Sequence, residues 1–391
     1  MSRATPSEIL AATLKVLGES PRPHALHEPL FAGNEKAYVA SCIDEGWVSS
    51  VGSFVDRFER ELAAACGAAH AVVMVNGTCA LQVALHHCGV VPGDEVLMPS
   101  LTFVATANAA SHLGAVPHFV EVEATSLGMC PEALRRHLAR VATTQAGTTI
   151  NRLTGRPLRA LIPVDVFGHP CQLAALRQVA EEFSLALIED ATEALGSQRA
   201  GTPVGSSGVA VLSFNGNKII TTGGGGAVLL EDEASYRRIK HLTTTAKQPH
   251  RWAFDHDAVA WNYRLPNLNA ALGVAQLEQL PRFVAAKRLL AERYIQQFEN
   301  LRGVRILKEP SDASSNYWLV SLLLDEASGE MRDACLAQLH DEGVFARPVW
   351  TPLHQLAIYQ SCPRDQLTLT ESLHQRLISL PSSAKYGFAY V

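Results

Sequence analysis

The chain has 391 residues, 47% of them hydrophobic and 18% charged, with a formal net charge of −5. That balance belongs to a globular protein with a sizeable core and excludes a disordered or fibrous chain. The modest negative charge and the lack of any basic run of five or more argue against nucleic acid as the main partner, which leaves a small-molecule site as the default.

The opening stretch, "MSRATPSEILAATLKVLGESPRPHALHEPL", holds no long apolar segment, and no apolar run in the chain reaches membrane-spanning length. A cytoplasmic location with no membrane partner is therefore expected. From residue 71 the apolar period switches repeatedly between strand and helix: "AVVMV" then "NGTCALQVALHHCGV", "EVLMP" then "TFVATANAASHLG", "HFVEV" then "PEALRRHLARV". "ALIPVDVF" then "QLAALRQVAEEFS" and "LALIED" continue it, followed by the apolar runs "VAVLSF" and "AVLL". Continuous apolar strands alternating with amphipathic helices predict a mostly parallel sheet covered on both faces. The polar stretch "TTQAGTTINRLTGRPLRA" reads as a hairpin inserted before the fourth of these strands.

Beyond about residue 265 the pattern is helical, "NLNAALGVAQLEQL" and "RFVAAKRLLAERYIQQFENL", with Pro281 marking a break or kink between them. "NYWLVSLLL", "MRDACLAQLHDEG" and "VFARPVW" then read as strand, helix and strand. The expected organisation is an N-terminal segment over 1–30, a large α/β domain over 31–264, and a connecting helix with a smaller α+β domain over 265–391. Eight cysteines, at 42, 66, 79, 88, 130, 171, 335 and 362, show neither Cys-x-x-Cys pairs nor zinc-like spacing, so no disulfide framework and no metal are expected.

In open α/β sheets the ligand sits at the carboxyl ends of the strands. After "AVVMV" stand Asn76, Gly77 and Thr78, small residues opening a helix whose N–H groups and dipole suit a phosphate, although such a turn also exists without a ligand. After "LALIE" stands Asp190, either a helix N-cap or the partner of a cationic heterocycle. "SFNGNKIITTGGGG" brings Ser213, a hydroxyl, and Lys218, an amine on what could be an ordinary solvated loop. Phe103, in "PSLTFVATANAA", is an aromatic placed to stack on a ring or simply to pack. A phosphate turn, an aspartate for a protonated ring nitrogen and a lysine for an aldehyde are together what pyridoxal 5'-phosphate requires, with pyridoxamine 5'-phosphate as its aminated form. No Gly-x-Gly-x-x-Gly follows the first strand, which argues against a dinucleotide oxidoreductase.

From "HEPLFAGNEKAYVASCIDEGWVSSVG" to "RPVWTPLH" the sequence resembles the DegT/DnrJ/EryC1/StrS sugar aminotransferases, pyridoxal-phosphate enzymes of fold type I. The resemblance implies Lys218 as the Schiff-base lysine and the catalytic residue. It implies Asp190 for the ring nitrogen, Ser213, Gly77 and Thr78 for the phosphate, and Phe103 as ring stacker. Asn262 in "WNYRLPN" falls where the family uses an asparagine from the neighbouring subunit, which implies a homodimer with shared sites. Glu193 in "EDATEALGS" stands where many members carry glutamine near the cofactor's hydroxyl, and Asp165 where many carry histidine.

The same likeness implies L-glutamate as amino donor and ping-pong transfer to a keto sugar for bacterial surface glycans. "HEPLFAGNE", "GWVSSVG" and the "NRLTGR" excursion look like the branch acting on UDP-linked 4-keto-6-deoxy-N-acetylhexosamines, with amination at C4. Other keto sugars, GDP-4-keto-6-deoxymannose or an 8-keto-octulosonate, stay open, as does a same-fold pyridoxamine-phosphate dehydratase, which by resemblance lacks the lysine. Asn316, Tyr317, Trp318, Arg347 and His354 cluster aromatics with polar groups and are candidates for the nucleotide sugar, or else for domain packing.

Overall fold

The apolar runs of the first two-thirds of the chain are short, largely buried strands. From His70–Met74 to Ala186–Asp190 amphipathic helices connect most of them, whereas the strands Ala186–Asp190, Val209–Ser213 and Gly226–Leu230 follow one another without a helix between them. The structure, a computed structural model, describes residues 3–20, 22–145, 147–326 and 329–388. In chain order it begins with α1 (Pro6–Leu17), α2 (Glu35–Asp44), α3 (Ser53–Cys66), β1 (His70–Met74), α4 (Gly77–His87), β2 (Glu95–Pro99), α5 (Ala105–His112), β3 (Val116–Val120) and α6 (Pro131–Val141). It continues with β4 (Ala142–Gln145), β5 (Thr148–Asn151), β6 (Pro157–Leu161), α7 (Leu173–Glu182), β7 (Ala186–Asp190), β8 (Gln198–Arg199), β9 (Thr202–Pro203), β10 (Val209–Ser213), β11 (Gly226–Leu230) and α8 (Glu233–Thr243). The rest is α9 (Asn267–Leu277), α10 (Leu280–Phe298), β12 (Val304–Ile306), β13 (Ala313–Ser314), β14 (Val320–Leu324), α11 (Gly329–Asp341), β15 (Arg347–Pro348), α12 (Thr368–His374), β16 (Leu377–Leu380) and α13 (Lys385–Phe388).

The main sheet has nine strands in the order β1-β11-β10-β7-β6-β2-β3, with β4 and β5 forming an antiparallel hairpin on β6. That hairpin is the polar excursion seen in the sequence. From β10 to β3 the strands are parallel, while β11 runs against both β1 and β10. Residues of β1 alternate between two cores: Ala71 and Val73 join Phe58, Leu62 and Val274 beneath α3 and α9, while Val72 and Met74 join Leu81, Met98 and Ala107 beneath α4 and α5. Helices therefore cover both faces, and the carboxyl ends of the parallel strands are left as the open edge where a ligand can enter.

A second, antiparallel sheet, β12-β14-β16-β15, packs on α1, α10 and α11 through Ile9, Val16, Tyr294, Leu322 and Leu339. The N-terminal helix thus shares its core with the C-terminal sheet, a pairing of distant segments that no local pattern in the sequence reveals. Pro281 does not kink a continuous helix. The break falls at residues 278 and 279, and the proline occupies the first turn of α10, where its missing N–H costs nothing. No helix among the described residues is long and apolar enough to cross a membrane.

Candidate active site

At the carboxyl ends of β1, β2, β7 and β10 lies a cavity of about 340 Å³, lined among others by Gly77, Thr78, Phe103, Asp190, Glu193, Ser213 and Lys218. Residues far apart in sequence meet there because parallel strands present their carboxyl ends along one line. The Asn76 side chain caps α4 by accepting from the Cys79 N–H at 2.8 Å, and the first intrahelical bond runs from Ala80 N to the Asn76 carbonyl at 3.1 Å. The N–H groups of Gly77 and Thr78 precede that bond and face the cavity end of the helix.

The glycines in this region fit close contacts. A Cβ on Gly77 would lie 3.0 Å from Ser213 Cβ, so glycine lets the start of α4 approach the end of β10. On Gly226 it would lie 2.5 Å from the Asn76 carbonyl carbon and 2.6 Å from Gly77 N. The run of glycines is therefore a packed support for the turn: Gly225 and Gly226 are buried, and Gly223, at φ 79°, makes the left-handed bend before them.

Asp190 ends β7 with its carboxylate buried. Thr106 Oγ1 donates to it at 2.8 Å and the Thr192 N–H at 3.3 Å. Burial holds its pKa above the usual aspartate value, opposed by those two donors and by the charge of Lys218. Glu193 is likewise buried and is pushed up to about 7 by burial, with Lys218 pulling the other way. Its Oε2 accepts the Phe167 N–H at 2.8 Å, and its Oε1 lies 3.5 Å from Lys218 Nζ.

Lys218 Nζ sits 3.9 Å from the centre of the Trp318 ring, a cation–π contact, and the Trp318 indole N–H donates to the Asn217 carbonyl at 2.7 Å. One tryptophan thus props the amine and ties down its loop. Phe103 is 53% exposed, next to the buried Thr102, with its ring open to the cavity.

The remaining candidates fall elsewhere. Asn262 is exposed and outside the cavity, accepting from Arg264 at 3.1 Å. Of the residues proposed for the nucleotide sugar only Trp318 lines the cavity. Asn316 is buried, donating to the carbonyls of Glu193 and Leu195 at 2.9 Å and accepting from Trp318 N at 2.7 Å, so its amide braces the site from behind. Tyr317 is buried with its hydroxyl accepting from Glu309 N, and Arg347 is exposed on β15. His354 is held by Ser100, whose hydroxyl faces Nδ1 at 2.7 Å, and by Glu371, which faces Nε2 at 3.1 Å. Asp165 turns its carboxylate away from the cavity, to the Cys171 N–H at 2.8 Å.

Residues missed in the sequence also line the cavity: Thr102, Thr106, Thr192, Asn215, Asn217 and Trp350. Thr106 follows Phe103 at helical spacing, a signal that was available. Trp350 comes from beside β15, and nothing local marks it.

A buried aspartate, a helix start beside a serine, an open aromatic face and a lysine in one cavity match in type the pyridine nitrogen, phosphate, ring and aldehyde of pyridoxal phosphate. Fold and site together define a pyridoxal-phosphate-dependent aminotransferase. Comparison with known proteins narrows the class. A family model described as the DegT/DnrJ/EryC1/StrS aminotransferase family matches residues 30–387. The chain is 37% identical over 362 residues to a GDP-perosamine synthase of Vibrio cholerae, covering 91% of this chain and 93% of that protein. It is 35% identical over 358 residues to a GDP-perosamine synthase of Escherichia coli O157:H7, covering 91% and 92%. The crystal structure of a DegT DnrJ EryC1 StrS aminotransferase from Brucella abortus superposes with a TM-score of 0.81 at 29% identity, over 90% of each chain. The chain belongs to the DegT/DnrJ/EryC1/StrS aminotransferase family and is a nucleotide-sugar aminotransferase.

Proposed function

We propose that the protein transfers the amino group of L-glutamate to C4 of a GDP-linked keto sugar, GDP-4-keto-6-deoxymannose. One observation carries this reading: relatives sharing more than a third of their residues over nine-tenths of both chains are named GDP-perosamine synthase. It replaces the UDP-linked N-acetylhexosamine expected from short stretches such as "HEPLFAGNE" and "GWVSSVG", which cover far less of the chain than those alignments.

When bound, pyridoxal phosphate supplies an electron sink that acidifies the carbon bearing the transferred nitrogen. The chain's own residues do the rest. Gly77, Thr78 and Ser213 would hold the phosphate, Asp190 would pair as a carboxylate with the ring nitrogen, and Phe103 would stack on the ring. Lys218 Nζ would hold the cofactor's aldehyde and is the amine that can take up and give back a proton, and Trp318 keeps it aimed into the cavity. Thr106 and Thr192 orient the Asp190 carboxylate, which favours its ionised form.

The reading includes a homodimer. Asn262 is exposed on its own chain, and Ile43, Trp47, Val48 and Val51 form an exposed apolar strip on and after α2, which supports a second copy there with Asn262 reaching its cofactor. The substrate is tested by kcat/KM for GDP-4-keto-6-deoxymannose against UDP-2-acetamido-2,6-dideoxy-4-keto-hexose with the same donor. The ratio should favour the GDP sugar by roughly a hundredfold or more, as expected when a site built for one base leaves polar groups unpaired with another. A ratio near one, or one favouring the UDP sugar, would reject GDP recognition and leave amino transfer intact.

A further inference from the structure

Glu193 is costly where it stands. Its carboxyl is buried, and the turn that serves it is itself unusual: Phe167 lies at φ 58° and Gly168 at φ 93°. A Cβ on Gly168 would lie 1.9 Å from Asn316 Oδ1, so only glycine completes that turn. The turn aims the Phe167 N–H at Oε2, and Asn316 holds the Glu193 carbonyl at 2.9 Å, which fixes the residue at both ends. Oε1 is left with Lys218 Nζ at 3.5 Å.

A glutamine at this position could accept the same Phe167 N–H through its amide oxygen. What it could not do is gain or lose a proton. The charged and titratable groups facing Glu193 are Lys218 and Asp190; the other polar partner is the Phe167 N–H. Asp190 is committed to Thr106 and Thr192, so Glu193 is the carboxylate available to the reacting amine.

We propose that Glu193 is a catalytic residue of this enzyme, the base that takes the proton an amino donor must lose before its nitrogen can attack. The inference rests on the aminotransferase reading. The amino donor is an ammonium ion in water and has no free electron pair. Transfer to Oε1 breaks one N–H bond and forms one O–H bond: R–NH3⁺ and Glu193–COO⁻ give R–NH2 and Glu193–COOH. The N–H electron pair stays on nitrogen, charge balances at zero, and no other reactant is needed. The neutral products suit a buried site better than the ion pair. When the donor's keto product leaves, the same proton is returned. A carboxyl held at about 7 by burial is poised to do this near neutral pH.

The test follows kcat/KM for L-glutamate in the first half-reaction against pH, in wild type and Glu193→Gln. The wild type should lose activity about tenfold per pH unit below about 7. Glu193→Gln should lack that limb and run roughly a hundredfold slower on the plateau. A second reading needs no turnover: in cofactor-free protein, the wild-type minus Glu193→Gln infrared difference should show a buried carboxylic acid ionising near 7. Should Glu193→Gln not fold, Glu193→Ala supplied with formate should regain rate in proportion to the formate added. An unchanged limb in Glu193→Gln, a carboxyl already ionised at pH 5, or no recovery by formate would each overturn the proposal. Failure of the wild type to accept any amino group would instead overturn the aminotransferase reading, while the infrared titration still decides whether Glu193 holds a proton.

Discussion

Gly226→Ala should damage the site more than its chemistry suggests, because the glycine packs against backbone. The added methyl would lie 2.5 Å from the Asn76 carbonyl carbon and 2.6 Å from both Asn76 O and Gly77 N, where nothing flexible can move aside. Met74 and Gly226 are paired across β1 and β11, so relief requires the two strands to part or the Asn76–Gly77 turn to shift. Overpacking at a rigid position costs about 1–3 kcal/mol or more. If half of that is taken up by displacing the phosphate turn, cofactor affinity falls by about two- to tenfold, since about 1.4 kcal/mol is one decade. Gly224→Ala is the control: its nearest neighbour is Val75 O at 3.7 Å, an ordinary contact, and restricting the unfolded chain there should change stability by no more than about 1 kcal/mol. Denaturant midpoints and cofactor titration on both variants decide the matter. Equal midpoints and equal affinities would refute the claim that the glycine run is a packed support.

Replacing Trp318 by Leu removes the ring face 3.9 Å from Lys218 and the donor to Asn217, worth about 1–2 kcal/mol together, and should lower kcat roughly tenfold, with Trp318→Phe in between. His169 is buried with no hydrogen-bond partner on either ring nitrogen, and burial pulls its pKa down to about 4. The unfolded chain then binds the extra proton between about 6.5 and 4, so its stabilisation is full above 6.5 and is lost on acidification, by about 3 kcal/mol in all. His169→Phe should flatten that part of the stability-against-pH curve, and unchanged curvature would exclude His169 as its source. Inactive Lys218→Ala and Asn262→Ala chains, mixed and allowed to exchange, should recover activity in hybrids with one intact site; verified exchange without recovery would place each site within one chain.

The main sheet and much of the site could be read from the sequence because both are local. Asp190 and Ser213 end strands whose apolar runs announce them, and Lys218 lies five residues beyond Ser213 on a loop that marks itself with glycines. The surroundings were not legible. Trp350 reaches the cavity from beside β15, and α1 joins the C-terminal core from the other end of the chain. Asn316 and His354 looked like ligand groups because polar residues beside aromatics look alike whether they meet a substrate or a carbonyl. Burial and partners separate the two: Asn316 serves the carbonyls of Glu193 and Leu195, and His354 joins Ser100 to Glu371. The sugar nucleotide was least legible, since short motifs carried the UDP reading and only whole-chain likeness carries the GDP one.

The central claim, that Lys218 works in moving an amino group from a donor to a keto sugar, is tested most directly with nitrogen-15-labelled L-glutamate. Wild-type protein, cofactor and GDP-4-keto-6-deoxymannose should give a GDP-amino sugar whose nitrogen carries the label, while Lys218→Ala, folded to the same extent by circular dichroism, should give none. An unlabelled product, or labelled product formed at the wild-type rate by Lys218→Ala, would contradict the account.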